Sequence, residues 1–199
     1  MIRRAFQVLR DEWLVRRDPV TYARRLGVTL ADDCWLAGLT RGAFGTEPFL
    51  ITIGEHCAVA SGVRFVTHDG GGYVFRQEFP DVEHFEPITL GDNVMIGMNA
   101  ILLPGTTIGD NVVIGAGSVV SGEVPSDVVY AGVPAKFVCT LEAYREKCLA
   151  KAFYNLPKDP EERKAMMLAF LDGKVDNHAR PIEGGGSGCL LYTSDAADE

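Results

Sequence analysis

The sequence lacks the features that define several protein classes. It contains no apolar run of 18 residues, so we expect no membrane-spanning helix. The shorter apolar run that a signal peptide needs is also missing near the N-terminus, so we expect no signal peptide. Its five cysteines form no CxxC pair and follow no regular spacing, which argues against a disulfide scaffold and favours a reducing, cytoplasmic location. The net charge of −8 argues against a general nucleic-acid binder, which needs a basic face.

A six-residue repeat dominates the middle of the chain. Every sixth position is a branched aliphatic residue, namely Leu90, Ile96, Leu102, Ile108, Ile114 and Val120. Four positions after each lies a small or β-branched residue, namely Val94, Ala100, Thr106, Val112, Ser118 and Val124. A period of six fits neither the 3.6 of a helix nor the spacing of an antiparallel meander. The repeat therefore predicts a β-solenoid, in which each coil stacks on the one before it.

Each repeat unit has a physical interpretation. The aliphatic residue points into the solenoid, where burial of apolar surface is worth about 25 cal/mol per Å². Glycine often follows it, as at Gly91 and Gly97, and we expect backbone angles at a tight corner that a Cβ would make costly. The pairs at 92–93 and 110–111, both Asp-Asn, are suited to hydrogen bonds within their own turn.

The repeat is interrupted once. Ile53, Val59 and Phe65 continue the six-residue phase upstream, but Phe65 and Leu90 lie 25 residues apart, one more than a multiple of six. We therefore predict a loop over residues 67–87 that leaves the solenoid. A loop carried by a rigid scaffold is the usual place for functional residues.

Four segments follow from these patterns. We expect an N-terminal helical segment at residues 1–44, a solenoid domain at 45–139 and C-terminal helices at 140–183. Residues 184–199 begin with Gly-Gly-Gly-Ser-Gly and show no periodicity, which predicts a non-native or disordered tail.

Residues 2–17 predict an amphipathic helix. Ile2, Phe6, Leu9 and Trp13 follow the helical period, and five arginines surround them. Because Asp11 and Glu12 dilute the basic face, we expect this helix to pack against the solenoid or a neighbouring subunit. Docking on an acidic membrane surface is the alternative.

The repeat motifs resemble a known family. Residues 91–97, 103–109, 114–120 and 131–136 are similar to the hexapeptide-repeat acyltransferases, and closest to the maltose, galactoside and xenobiotic O-acetyltransferases and the capsular-polysaccharide acetyltransferases. The resemblance implies a left-handed parallel β-helix with an ejected loop and flanking α-helices. It also implies acetyl-CoA as co-substrate, a homotrimer with sites between subunits, and an acceptor used in polysaccharide biosynthesis.

Histidine is the residue type expected at the centre of this chemistry. Acyl transfer to a hydroxyl needs a base near neutral pH, which histidine supplies. The family places its catalytic histidine where the loop leaves the solenoid, so the resemblance assigns this role to His68. The candidate substrate-binding residues are Asp69, Tyr73 and Phe75, of which the two aromatic rings are suited to stacking on a sugar ring. Asp69 is also the candidate to orient the imidazole of His68, although adjacent residues of an extended chain point in opposite directions.

The cofactor-binding positions come from the resemblance alone. It maps contacts with acetyl-CoA onto Met98, Ala116, Ser121 and Gly122, and a contact with a nucleotide phosphate onto Lys136. Many relatives have Thr-Lys where this chain has Ser121-Gly122, which removes one basic residue from the expected groove.

Three other functions stay open at this point. A histidine base would serve equally well in an N-acetyltransferase acting on an amino sugar. A zinc enzyme similar to the γ-carbonic anhydrases would need three converging histidines, and His56, His68 and His84 show no tight ligand spacing. We therefore expect no metal site. A non-catalytic solenoid would need neither the loop nor the Pro-Ala-Lys segment at 134–136.

Overall fold

The structure is a computed structural model that describes residues 2–154 and 156–177. The described residues fall into two compact units, divided between Tyr144 and Arg145. The predicted tail at 184–199 lies outside the described residues. The first unit holds the whole solenoid.

Short strands make up most of the first unit. Within the described residues they are β1 (Thr29–Leu30), β2 (Trp35–Leu36), β3 (Ile51–Ile53), β4 (Ala58–Val59), β5 (Arg64–Phe65), β6 (Ile88–Leu90), β7 (Val94–Ile96), β8 (Ile101–Leu102), β9 (Thr107–Ile108), β10 (Val112–Ile114), β11 (Val119–Val120), β12 (Glu123–Val124), β13 (Val128–Ala131) and β14 (Lys136–Thr140).

The strands form three sheets, and the chain visits the sheets in rotation. The first sheet has the order β1-β3-β6-β9-β12, the second β14-β13-β10-β7-β4-β2, and the third β11-β8-β5. All neighbouring strands are parallel except β13 and β14, which are antiparallel. Three strands and three corners therefore make one coil, and each coil stacks on the next in register.

The six-residue repeat fills the interior of these coils. The six aliphatic residues at the repeat positions, spaced six apart from Leu90 to Val120, are each at most 1% exposed. Two of the small positions are polar, Thr106 and Ser118, and both are fully buried. Their hydroxyl groups donate to the carbonyls of Leu103 and Gly115, each at 2.7 Å, so burial leaves neither hydroxyl unpaired.

The glycines that follow the aliphatic residues are needed for space rather than for backbone angle. Gly97 does not have a positive φ, but a Cβ there would lie 2.5 Å from the backbone nitrogen of Ala116 in the next coil. The left-handed positions are occupied instead by residues such as Asn93, Asn111 and Gly105, with φ of 56°, 57° and 76°. The predicted reason for glycine at Gly97 was therefore wrong, because coil-to-coil contact sets that requirement.

The Asp-Asn pairs bond between coils rather than within their own turns. The backbone N–H of Asp92 donates to Asp110 Oδ1 at 2.8 Å, and Asn93 Nδ2 donates to Asn111 Oδ1 at 2.8 Å. Asn111 Nδ2 continues the ladder to Asp127 Oδ1 at 3.0 Å. Because the coils are in register, residues at the same corner position of successive coils stack and form these hydrogen bonds.

The coils begin earlier than the expected residue 45. Helices α1 (Ile2–Arg17) and α2 (Pro19–Leu26) are followed by β1 and β2, which pair with β3 and β4. Asp18 caps α2 by accepting from the backbone N–H of Thr21 at 3.1 Å. Residues 29–36 thus form the first two sides of a first coil and are not a continuation of the helical segment.

In the part of the chain up to residue 177 that the structure describes, two helices follow the strands. Helix α3 (Leu141–Lys151) begins directly after β14. Helix α4 (Pro160–Leu171) belongs to the second unit and begins at Asp159, whose carboxylate accepts from the N–H groups of Glu161 and Glu162. An acidic cap followed by proline is a common helix start.

Candidate functional site

The interruption lies between β5 and β6, at the corner that joins the third sheet to the first. The chain leaves the solenoid after Thr67 and forms a 3-10 helix at Gly70–Phe75. It returns beside its own start, because the N–H of Glu86 donates to the Thr67 carbonyl at 2.9 Å. His68 and Phe85 form an antiparallel bridge at this base of the loop. Backbone bonding therefore fixes His68 where the loop leaves the rigid coils.

A carboxylate from the preceding coil contacts His68. Glu47 Oε2 lies 3.0 Å from His68 Nδ1, and Thr46 Oγ1 lies 3.2 Å from the same nitrogen. Thr67 Oγ1 donates to Glu47 Oε2 at 2.9 Å and is itself fully buried. The imidazole is thus held on its Nδ1 side, while 44% of the side chain remains exposed.

Glu47 is ionised more readily than an ordinary glutamate. Burial works against the charged form, but hydrogen bonds from Thr46, Thr67 and His68 outweigh it and lower the pKa of the Glu47 carboxyl. An ionised carboxylate accepts hydrogen bonds only. Nδ1 of His68 therefore carries the proton in this contact, and Nε2 of the neutral ring keeps a lone pair.

A cleft of about 470 Å³ surrounds His68. Its lining includes side chains from the first coil and from the loop, namely Glu47, His68, Asp69, Tyr73, Arg76 and Phe85. The Phe85 ring meets the imidazole edge-on, with centroids 6.0 Å apart. Arg76 lies over the Tyr73 ring and 3.5 Å from Glu83 Oε1. The cleft thus combines a histidine, aromatic surface and hydrogen-bonding groups.

Two of the three predicted substrate-binding residues line the cleft. Asp69 and Tyr73 line it, whereas Phe75 is not among its lining residues and is 59% exposed. The Asp69 carboxylate accepts from the N–H of Gly71 at 2.8 Å, so it caps the 3-10 helix, and Glu47 contacts the imidazole instead. Sequence reasoning missed Glu47 and Phe85, since no motif connects either of them with His68.

The predicted cofactor-binding residues lie elsewhere on the solenoid. Met98 and Ala116 occupy the corner between the second and third sheets, where the Met98 carbonyl accepts from the N–H of Gly117 at 2.7 Å. Ser121 and Gly122 occupy a later copy of the corner that carries the loop, and Lys136 begins β14. All five are exposed, and none lines the His68 cleft.

The three described histidines, His56, His68 and His84, show no arrangement suited to a metal. Within residues 2–154 and 156–177, no group of three histidine, cysteine, aspartate or glutamate side chains is placed to hold an ion. His56 lies 3.7 Å from Asp33, and His84 Nε2 lies 2.7 Å from Glu86 Oε1. The zinc alternative therefore gains no support from the described part of the chain. In that same part, no helix is both long enough and apolar enough to cross a bilayer.

The first unit is a solenoid of parallel coils, interrupted by a loop that places His68 beside Glu47. Comparisons with known proteins show that the chain belongs to a class of acyltransferases. The family described as "Bacterial transferase hexapeptide (six repeats)" matches residues 87–122. Protein CapG of Staphylococcus aureus is 48% identical over 145 residues, which cover 73% of this chain and 84% of that protein.

Two further similarities come from a curated relative and a solved structure. The putative lipopolysaccharide biosynthesis O-acetyl transferase WbbJ of Escherichia coli K12 is 38% identical over 96 residues, covering 44% of this chain and 49% of that protein. A hexapeptide-repeat acetyltransferase of Vibrio cholerae, solved with acetyl coenzyme A, is 25% identical with a TM-score of 0.47. That match covers 68% of this chain and 85% of the other.

The chain belongs to the bacterial hexapeptide transferase family, and it is an acyltransferase. The resemblance of its repeat motifs to this family is therefore confirmed. Membership implies the left-handed sense of the coils.

Proposed function

We propose that this chain is an O-acetyltransferase that moves an acetyl group from acetyl-CoA to a saccharide hydroxyl, with His68 as general base. The observation that carries the proposal is the 3.0 Å contact between His68 Nδ1 and Glu47 Oε2 inside an open cleft. Histidine changes charge near neutral pH, and a positioned base contributes roughly 10²–10⁴ in rate.

The reaction follows from the protonation of this pair. Glu47 accepts a hydrogen bond from the Nδ1–H group, which stays on the ring, so the Nε2 lone pair takes the proton of the acceptor hydroxyl as its oxygen attacks the thioester carbonyl. The new C–O bond forms as the C–S bond breaks, and His68 returns the proton to the departing thiolate. The Glu47 carboxylate stabilises the imidazolium that exists between the two proton transfers.

The charges of the cleft favour a neutral acceptor. Glu47, Asp69 and Glu83 supply carboxylates, while the one arginine of the lining, Arg76, already lies beside Glu83. A phosphorylated or acidic sugar would meet like charge here. Tyr73 and Phe85 offer aromatic surface for stacking on a sugar ring. The name of the E. coli relative, which joins O-acetyl transfer with lipopolysaccharide biosynthesis, supports a saccharide in a surface polysaccharide.

In this proposal, binding of acetyl-CoA requires residues from more than one copy of the chain. Met98 and Ala116 lie at a different corner from His68, so a single solenoid does not bring the expected donor-binding residues to the cleft. In a homotrimer, the corner of one copy faces the loop of the next. Acetyl-CoA would then lie between subunits, with Ser121, Gly122 and Lys136 along the same groove.

The test is a matched pair of histidine substitutions. Thiol release from acetyl-CoA is measured with a panel of neutral sugars, using the native chain, His68→Asn and His56→Asn. His56 lies outside the cleft and has a positive φ that asparagine tolerates, so its variant controls for the loss of an imidazole. We expect His68→Asn to lose roughly 10²–10⁴ in kcat/KM and His56→Asn to stay near native.

Two results would count against the proposal. Near-native transfer by His68→Asn would remove the assignment of the base. Acetylation of the amino group in preference to a hydroxyl, when an amino sugar and its hydroxyl analogue compete, would replace O-acetyl by N-acetyl transfer.

A further inference from the structure

Helix α1 is buried on one side and exposed on the other. Leu14 and Val15 are 8% and 5% exposed and belong to the hydrophobic core that also contains Tyr22 and Ala23 of α2. Trp13, directly before Leu14, is 60% exposed. The exposed indole of Trp13 therefore marks a face of α1 that points away from the core. Acyl transfer assigns no role to this face.

The outward face is cationic. Arg10, Arg16 and Arg17 lie three or four positions from Trp13, which places them on the same face of the helix, and all three are exposed. None of the three forms an ion pair among the described residues, whereas the acidic neighbours are paired elsewhere. Asp11 lies 3.7 Å from Arg25 and Glu12 lies 3.8 Å from Arg41. The carboxylates of Asp11 and Glu12, which were expected to offset the basic face, are thus partly neutralised by arginines outside α1.

We propose that this face of α1, defined by Arg10, Trp13, Arg16 and Arg17, docks the protein on an anionic phospholipid surface. Arginines on the polar flanks of a helix with an exposed tryptophan are typical of helices that lie in a membrane interface. The chain as a whole has a net charge of −8, but this face is positively charged. Its charge is therefore complementary to the phosphate groups of anionic lipids.

The sequence upstream continues the same pattern. Ile2, Phe6 and Leu9 follow the helical period of Trp13, and Arg3 and Arg4 add further positive charge near the start of the helix. The expected packing of the helix is seen at Leu14 and Val15. Docking on lipid goes beyond acyl transfer and does not depend on the proposed acceptor.

The experiment measures binding of the full chain to vesicles. Flotation with vesicles of equal parts phosphatidylglycerol and phosphatidylcholine is compared with pure phosphatidylcholine, at low and high salt. The triple variant Arg10→Gln, Arg16→Gln, Arg17→Gln is expected to bind the anionic vesicles roughly 100-fold more weakly, from about fivefold for each arginine. A second triple variant, Arg163→Gln, Lys164→Gln, Lys174→Gln, removes the same charge from exposed positions elsewhere and is expected to bind within about twofold of native.

Tryptophan fluorescence gives an independent readout. In a Trp35→Phe background Trp13 is the remaining tryptophan, and its emission is expected to shift to shorter wavelength with the anionic vesicles only. Circular dichroism of each variant verifies that the helices are retained. A folded triple variant of α1 that binds like the native chain would overturn the proposal.

Other outcomes would overturn it as well. Equal weakening by the two triple variants would indicate a general charge effect. Absence of native binding to the anionic vesicles would exclude the lipid partner. A change of oligomeric state in light scattering by the α1 variant, without a change in vesicle binding, would make this face a contact between copies of the chain.

Discussion

The side chains of the coils from Ile88 to Val124 are mostly buried at repeated positions, whereas those of the loop at residues 67–87 are mostly exposed. Each coil repeats the same interior positions, so Leu90, Ile108 and their equivalents are buried in register. The loop repeats nothing, and its aromatic residues Tyr73, Phe75 and Phe79 are 59% to 74% exposed. Stability therefore comes from periodic contacts, while the candidate chemistry depends on a few contacts that occur once, above all that between Glu47 and His68.

Truncation of a coil residue is expected to cost the most. Leu102 is fully buried between β5 and β11 in the third sheet, so Leu102→Ala removes apolar contacts and leaves a cavity. We expect a loss of about 2–5 kcal/mol in the free energy of unfolding, measured by urea denaturation. Phe79→Ala in the loop is the matched change, with an expected loss of roughly 0.5 kcal/mol or less. Similar losses in both variants would contradict the division between coil and loop.

The next effect is on activity. Glu47→Gln removes the carboxylate that holds the His68 proton on Nδ1, and a hydrogen bond to a charged group is worth about 1.5–3 kcal/mol. We expect kcat/KM to fall about 10- to 100-fold with little change in KM for the acceptor. Glu55→Gln, at an exposed corner outside the cleft, serves as the control and should stay near native. An equal loss in both variants would remove the positioning role of Glu47.

Substitution of glycine by alanine tests the difference between coil and loop at the backbone. A Cβ at Gly97 would lie 2.5 Å from Ala116 N in the next coil, whereas a Cβ at Gly70 in the loop meets nothing within 4 Å. We expect Gly97→Ala to lose about 1–3 kcal/mol in thermal or urea unfolding, because the coils cannot move apart freely. Gly70→Ala should stay close to native, and a large loss there would mean that the loop is packed as tightly as the coils.

The smallest expected effect concerns pH. The pKa of Glu47 is lowered in the folded chain by hydrogen bonds from Thr46, Thr67 and His68 that outweigh the opposing effect of burial. Its contribution to stability is therefore present above the ordinary carboxyl pKa and is lost as pH falls through the lowered value. Urea denaturation across acidic pH should show a steeper loss for the native chain than for Glu47→Gln. Parallel pH profiles would show that the contact does not stabilise the fold.

Much of the architecture was predictable because it depends on local period. The phase of Leu90 to Val120 specified which side chains face inward, and the loss of phase after Phe65 located the loop. The choice of His68 at the start of that loop came from the family resemblance. The first coil was harder to recognise in the sequence. Leu30 and Leu36 are six apart and pair in register with Ile53 and Val59, but the longer connection that follows Leu36 hides the repeat.

Sequence by itself determined the coils and the position of the histidine, because a side chain's inward or outward direction in a stacked strand depends only on its place in the repeat. Tertiary structure alone decided which carboxylate meets that histidine. Asp69 is adjacent in sequence but caps its own turn, while Glu47 reaches Nδ1 from 21 residues away because coil stacking brings the two segments together. Hydrogen bonds between coils depend on register, and register is a property of the folded chain.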